Sequence, residues 1–192
     1  NQLSELPTIA GTHPFVVHGT DLNLLRDSKQ AHYINLSFFE WLANEISRSN
    51  LPFSVCLENT CHYDDHSITQ TDSQLIHFFE QIKGAPIYLC FDLPHWWRQC
   101  QLDKKAPELC FETNFLPVFN QISYAHLHGF SLNFQNSHMS LKNIPNSFIE
   151  FVKQFSLKKN QININLEIFE TNNFEEFSSF EKLLAEQLQV LL

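Results

Sequence analysis

Short apolar runs recur along the chain, and each stops on an acidic or histidine side chain. Four of them are Phe53-Ser-Val-Cys-Leu-Glu58, Ile87-Tyr-Leu-Cys-Phe-Asp92, Ile122-Ser-Tyr-Ala-His126 and Ile162-Asn-Ile-Asn-Leu-Glu167, and Phe15-Val-Val-His18 repeats the pattern near the start. Runs of this length, rich in β-branched and aromatic residues, predict strands. Between them the apolar period changes to that of a helix. Leu36, Phe39, Leu42, Ala43 and Ile46 predict a helix over Leu36–Ser49, after a loop that follows His18. Leu75, Phe79 and Ile82 predict one from Asp72 to Lys83, with Gly84 at the C-terminal cap. Phe148, Phe151, Val152 and Phe155 predict one entered through Pro145. Leu184, Leu188 and Leu191 predict a last helix behind the capping-box pattern Ser178-Ser-Phe-Glu181. The connection after Asp92, rich in Trp, Lys and Pro, carries only a short helix near Phe115–Asn120.

Strand and helix therefore alternate. The polar residues that end the strands are 40, 34, 34 and 41 positions apart, from His18 through Glu58, Asp92 and His126 to Glu167. Such intervals hold one strand and one returning helix, which makes the strands parallel and brings their carboxyl ends to one side. The fold class expected is α/β, of (β/α)8 TIM-barrel type, with about five of the eight strands recognisable. Residues 1–192 read as a single domain.

A carboxylate or imidazole at the end of an apolar strand is costly to bury without a partner. Five in series call for a shared one, and a divalent cation at the mouth of a parallel barrel would satisfy them together. The donors are oxygen and nitrogen with no thiolate at a strand end, which favours Mn, Zn, Co or Fe over a cysteine-type structural zinc site.

The local motifs qualify this picture. Asp92 and His95 stand three apart on a strand-to-loop turn, a spacing that can bind one ion or two adjacent ions; an Asx turn before Pro94 explains the pair in isolation, and its place at the end of an apolar strand in this series strengthens the ligand reading. His126 and His128 lie on one face by alternation, and spacing does not decide between them as ligands. His138 sits in a loop. The polar stretch His62, Asp64, Asp65 and His66 reads as solvated. Trp96 and Trp97 serve a pocket wall or the core equally well.

Composition narrows the classes. The chain of 192 residues is 43% hydrophobic and 17% charged, which excludes a disordered or membrane-spanning polypeptide. A net charge of −9 argues against a nucleic-acid surface. Five cysteines (56, 61, 90, 100 and 110), with no CxxC pair, point to a reducing, cytoplasmic setting.

In order, the motifs Val17-His18-Gly19, Leu57-Glu58-Asn59, Asp92-Leu93-Pro94-His95, His126-Leu127-His128-Gly129, Asn136-Ser137-His138 and Leu166-Glu167-Ile168 resemble the xylose-isomerase-like TIM-barrel superfamily. That superfamily holds sugar isomerases and epimerases as well as metal-dependent apurinic endonucleases. By the match, this chain is the C-terminal portion of such a barrel, with three strands expected upstream of Asn1. The resemblance implies that Glu58, Asp92, His126 and Glu167 hold one divalent ion. It further implies that Glu58 and Glu167 shuttle a proton through a metal-bound enediolate of a small carbohydrate. The activity implied is that of a sugar or sugar-phosphate isomerase or epimerase.

The same resemblance offers a second activity, a multinuclear phosphodiesterase of apurinic-endonuclease type with His18, His95 and His138 as added ligands. Two departures argue against a full three-metal centre: Gly129 and Asn136 stand where the pattern has aspartates. An iron-dependent peptide-modifying enzyme on a similar barrel is a related reading. A non-catalytic barrel remnant is the third, and its open strand edges would favour self-association or pairing with another chain.

Overall fold

The computed structural model describes residues 13–19, 28–49, 53–60, 72–83, 85–107, 116–131, 138–139, 141, 144–159 and 162–167. Five strands, β1 (His13–His18), β2 (Phe53–Glu58), β3 (Ile87–Asp92), β4 (Ile122–Leu127) and β5 (Asn163–Leu166), form one sheet in chain order. Every pairing is parallel. The sheet curls into a half-barrel, so the expected TIM-barrel architecture with five recognisable strands is what the chain adopts. The helices are α1 (Ser28–Ser49), α2 (Asp72–Gln81), α3 (Leu93–Leu102), α4 (Leu116–Phe119) and α5 (Asn146–Lys158). Among the described residues, no helix is long and apolar enough to cross a membrane.

Alternation along the strands explains the core. Val55, Leu57, Leu89, Phe91, Ala125 and Leu127 are fully buried. They pack with Phe39 and Ala43 of α1, Leu75, Phe78 and Phe79 of α2, and Phe148, Phe151 and Phe155 of α5. The intervening positions carry polar and small side chains, among them Cys56, Glu58, Cys90, Asp92, Tyr124 and His126. One irregularity sets the phase of β4. Leu89 pairs with Ile122 but Cys90 pairs with Tyr124, a bulge at Ser123. The extra residue lets Ile122 and Ala125 both be buried while Tyr124 and His126 keep the other face. Ser123 Oγ meets Cys56 Sγ at 3.4 Å.

Two helices differ from the sequence expectation. Helix α1 begins eight residues before Leu36. Its early turns bury Asn35, while Tyr33, Ile34, Phe38 and Trp41 are exposed, so apolarity there does not mark the inward face. Helix α3 replaces the expected irregular connection. Pro94 occupies its first turn and Asp92 caps it, the carboxylate accepting the His95 backbone N–H at 2.6 Å. Trp96 and Trp97 are buried, and Trp97 packs edge-on to Phe148 at 5.4 Å, the core role rather than a pocket wall. The last expected helix (Leu184, Leu188, Leu191) and the His62–His66 stretch lie outside the described residues.

Candidate metal centre

Parallel pairing carries the five strand ends to one rim. His18 is the register partner of Glu58, and Asp92 of His126. Glu167 follows β5 directly, its N–H donating to the Leu127 carbonyl at 3.0 Å. One ligand atom from each of Glu58, Asp92, His126 and Glu167 lies within 4.8 Å of the others. Glu58 Oε2 and Glu167 Oε2 approach the same atom, His126 Nδ1, at 3.2 and 3.3 Å. His18 Nε2 reaches Glu58 Oε2 at 3.1 Å from the exposed side.

The remaining expected residues gather beside this group. His95, in the first turn of α3, has Nδ1 3.5 Å from Asp92 Oδ1 and 3.9 Å from Glu58 Oε1. His138 Nε2 lies 3.6 Å from Glu167 Oε2. The structure thus places all seven expected residues, His18, Glu58, Asp92, His95, His126, His138 and Glu167, at one rim. The ambiguity between His126 and His128 resolves by position: His126 joins the carboxylates, whereas His128 joins His95 and His138. Asn59 is the residue whose role sequence reasoning missed. Its side chain accepts from Asp92 N–H at 2.8 Å and donates to Asp92 C=O at 3.0 Å, which fixes the end of β3 against that of β2. The only sequence signal for it was its place after Glu58.

The electrostatics are those of a crowded acidic site. Burial pushes the Glu58 carboxyl up, but hydrogen bonds from His126 and His18 outweigh it and hold it at about 2. Asp92 is also lowered, burial opposing it and the His95 and His128 imidazoles prevailing. Glu167 is raised, by its own desolvation and by the charges of Glu58 and Asp92, against the pull of His126. His126 is raised: desolvation acts against its charge, and the Glu58 hydrogen bond overcomes it. His138 falls to about 4, through desolvation and the neighbouring His128 and His95.

Three carboxylates in a largely buried cluster repel one another, and a cation relieves that cost. Asp92 Oδ2 and His126 Nδ1 are buried without a hydrogen bond of normal geometry, as suits atoms that coordinate a cation. The residues therefore fit a divalent metal, with an oxygen-rich set and one imidazole.

No protein-family profile and no curated protein sequence matches the chain. Solved structures do. The chain is similar to a D-tagatose 3-epimerase-like protein, at 17% identity over 93% of this chain and 63% of that one, with a TM-score of 0.66. It is similar to a D-psicose 3-epimerase crystallised in the presence of D-fructose, at 11% identity over 93% and 64%, TM-score 0.62. It is similar to a xylose isomerase domain protein from Alicyclobacillus acidocaldarius subsp. acidocaldarius, at 13% identity over 93% and 64%, TM-score 0.59. At these identities the likeness is one of fold: the chain has the fold of xylose-isomerase-like TIM barrels. It spans less than two thirds of the length of each of these structures.

Proposed function

We propose that the chain carries the active site of a metal-dependent sugar or sugar-phosphate isomerase or epimerase. The observation that supports this best is the convergence of Glu58 and Glu167 on His126 Nδ1, at 3.2 and 3.3 Å, within the four-residue group. Glu58, Asp92, His126 and Glu167 would hold the ion. When bound there, a divalent cation supplies Lewis-acid polarisation of a substrate carbonyl and its neighbouring hydroxyl.

The chain's own residues supply the proton chemistry. Glu58 and Glu167 both approach His126 Nδ1, and in the metal-free site the Glu58 carboxyl is held low while that of Glu167 is raised. Together Glu58 and Glu167 would take and return the proton on the carbon beside the carbonyl. Glu58 is held ionised by His126 and His18. Asn59 fixes Asp92, and the Asp92 cap sets the start of α3, which carries His95 beside the carboxylates. The sugar epimerases of the same fold favour a carbohydrate as the substrate class.

The test is solvent-hydron exchange. Incubation of metal-loaded protein with a panel of ketoses and ketose phosphates in D2O should put deuterium on the carbon beside the carbonyl, and Glu58→Gln and Glu167→Gln should abolish it. Unchanged exchange in both variants would discard the assignment.

A further inference from the structure

Beneath the carboxylates lies a thiol that the strand-end pattern does not include. Cys90 is fully buried, and the register makes it the lateral neighbour of Glu58, one interior step below Asp92 on β3. Neighbouring strands run about 4.8 Å apart, so the pairing sets Cys90 beside Glu58 on the same face of the sheet. Cys90 Sγ, one Glu58 carboxylate oxygen and one His126 ring nitrogen all lie within 4.8 Å of one another. These sulfur, oxygen and nitrogen donors are within reach of a single ion.

A buried cysteine in a strand is ordinarily a small core residue. Cys56 plays that part in the same interior. It is likewise fully buried, but its Sγ meets Ser123 Oγ at 3.4 Å, and it belongs to none of the close donor groups among the described residues. Cys90 differs in two respects. It stands level with a carboxylate on the polar face. The third member of its trio, His126, is 4% exposed and has Nδ1 buried without a hydrogen bond of normal geometry. An imidazole nitrogen left so, among acids and a thiol, is a donor facing a cation position.

We infer, on the reading of this rim as a metal centre, that Cys90 is a thiolate ligand to a soft divalent cation of the zinc type, which it shares with Glu58 and His126. The position of the ion then depends on its chemistry. A thiolate selects zinc over manganese or magnesium, which prefer carboxylate oxygens. A soft ion is drawn along the Glu58–His126 edge onto sulfur, with three protein donors and a fourth position open. A hard ion stays with Asp92 and Glu167. The charges suit the soft ion, because one thiolate and one carboxylate balance a divalent cation and leave the buried trio neutral. Burial, with Glu58 adding to it, pushes the free thiol up, so Cys90 enters as S–H. On binding, that S–H bond breaks, the proton leaves to solvent and the sulfur lone pair goes to the ion.

The experiment uses cobalt(II), the spectroscopic stand-in for zinc, on chelator-stripped, reduced full chain. Visible d–d bands report cobalt held at the rim, and a near-ultraviolet sulfur-to-cobalt charge-transfer band reports thiolate ligation. The wild type should show both. Cys90→Ser and Cys90→Ala should lose the charge-transfer band, and Cys56→Ser should keep it. Zinc affinity should fall in the Cys90 variants by at least about 100-fold, the upper end of what losing an outer partner costs, while manganese affinity stays unchanged. X-ray absorption at the zinc edge of the wild type needs no variant and should show one sulfur neighbour, so the inference stays testable if both Cys90 variants fail to fold. Cobalt d–d bands without charge transfer, or zinc without a sulfur neighbour, overturn the inference and leave the four-residue centre standing. A charge-transfer band that survives in the Cys90 variants also overturns it, by placing the thiolate elsewhere. A chain that takes up no cobalt, zinc or manganese contradicts the metal-centre reading and this assignment together.

Discussion

The Asn59 side-chain amide grips the backbone of Asp92 on both sides, accepting from its N–H at 2.8 Å and donating to its C=O at 3.0 Å. Through this clasp the residue after one acidic strand end sets the position of the next. Replacing Asn59 by alanine leaves two buried backbone groups without partners. The expected cost is about 2–4 kcal/mol of stability, together with roughly 10- to 100-fold weaker metal binding. Thermal unfolding and metal titration of Asn59→Ala check both. Wild-type values in each would show the clasp to be idle.

The metal-stripped protein should be most stable near pH 6.5 and lose stability on both sides. Glu58, lowered to about 2, and the lowered Asp92 contribute stability that is complete above their unfolded values and lost as pH falls through their folded ones. His138, lowered to about 4, adds to this acid limb below about 6.5. His18, His126 and His128 are raised by their carboxylate partners, so their contribution is complete below about 6.5 and lost as pH rises through the folded values. Bound metal requires deprotonated ligands, so loading should abolish the alkaline decline. Unfolding midpoints from pH 4 to 9, with and without chelator, measure it. A decline above neutrality that persists with metal would contradict the assignment of these groups.

His18 is exposed on the rim, and its Nε2 lies 3.1 Å from Glu58 Oε2. His18→Ala should leave the unfolding midpoint of the metal-loaded protein nearly unchanged and weaken metal binding by about tenfold, the scale of losing an outer partner. Complete loss of the ion in His18→Ala, read by calorimetric titration, would instead make His18 a ligand in its own right.

Phe148 supports the site from behind. It is fully buried, and its ring meets those of Trp97 and Phe130 at 5.4 and 5.2 Å. Trp97 belongs to α3, which carries His95. Phe148→Ala should cost about 3–5 kcal/mol, read by denaturant unfolding, and a loss below about 1 kcal/mol would mean that the core closes over the gap.

The strands and the polar residues at their ends were legible in the sequence because a buried parallel strand is a continuous apolar run, and a charge that stops it stands out. Glu58, Asp92, His126 and Glu167 could be picked on that ground. Helix α3 was hidden because Pro94 and the Trp96–Trp97 pair look like loop and pocket when their cap, Asp92, is also read as a strand end. The start of α1 was hidden because its exposed face is as apolar as its buried one. His126 and His128 could not be separated by alternation, since β4 ends at Leu127 and the chain then turns toward Met139. That turn depends on a long-range bridge with no sequence mark, and so does the role of Asn59.

Anomalous diffraction from manganese-loaded crystals tests the central claim most directly. The account predicts a peak about 2.0–2.3 Å from carboxylate oxygens of Glu58, Asp92 and Glu167 and from Nδ1 of His126. A well-ordered rim with no peak at that point, or with manganese bound only elsewhere, would contradict it.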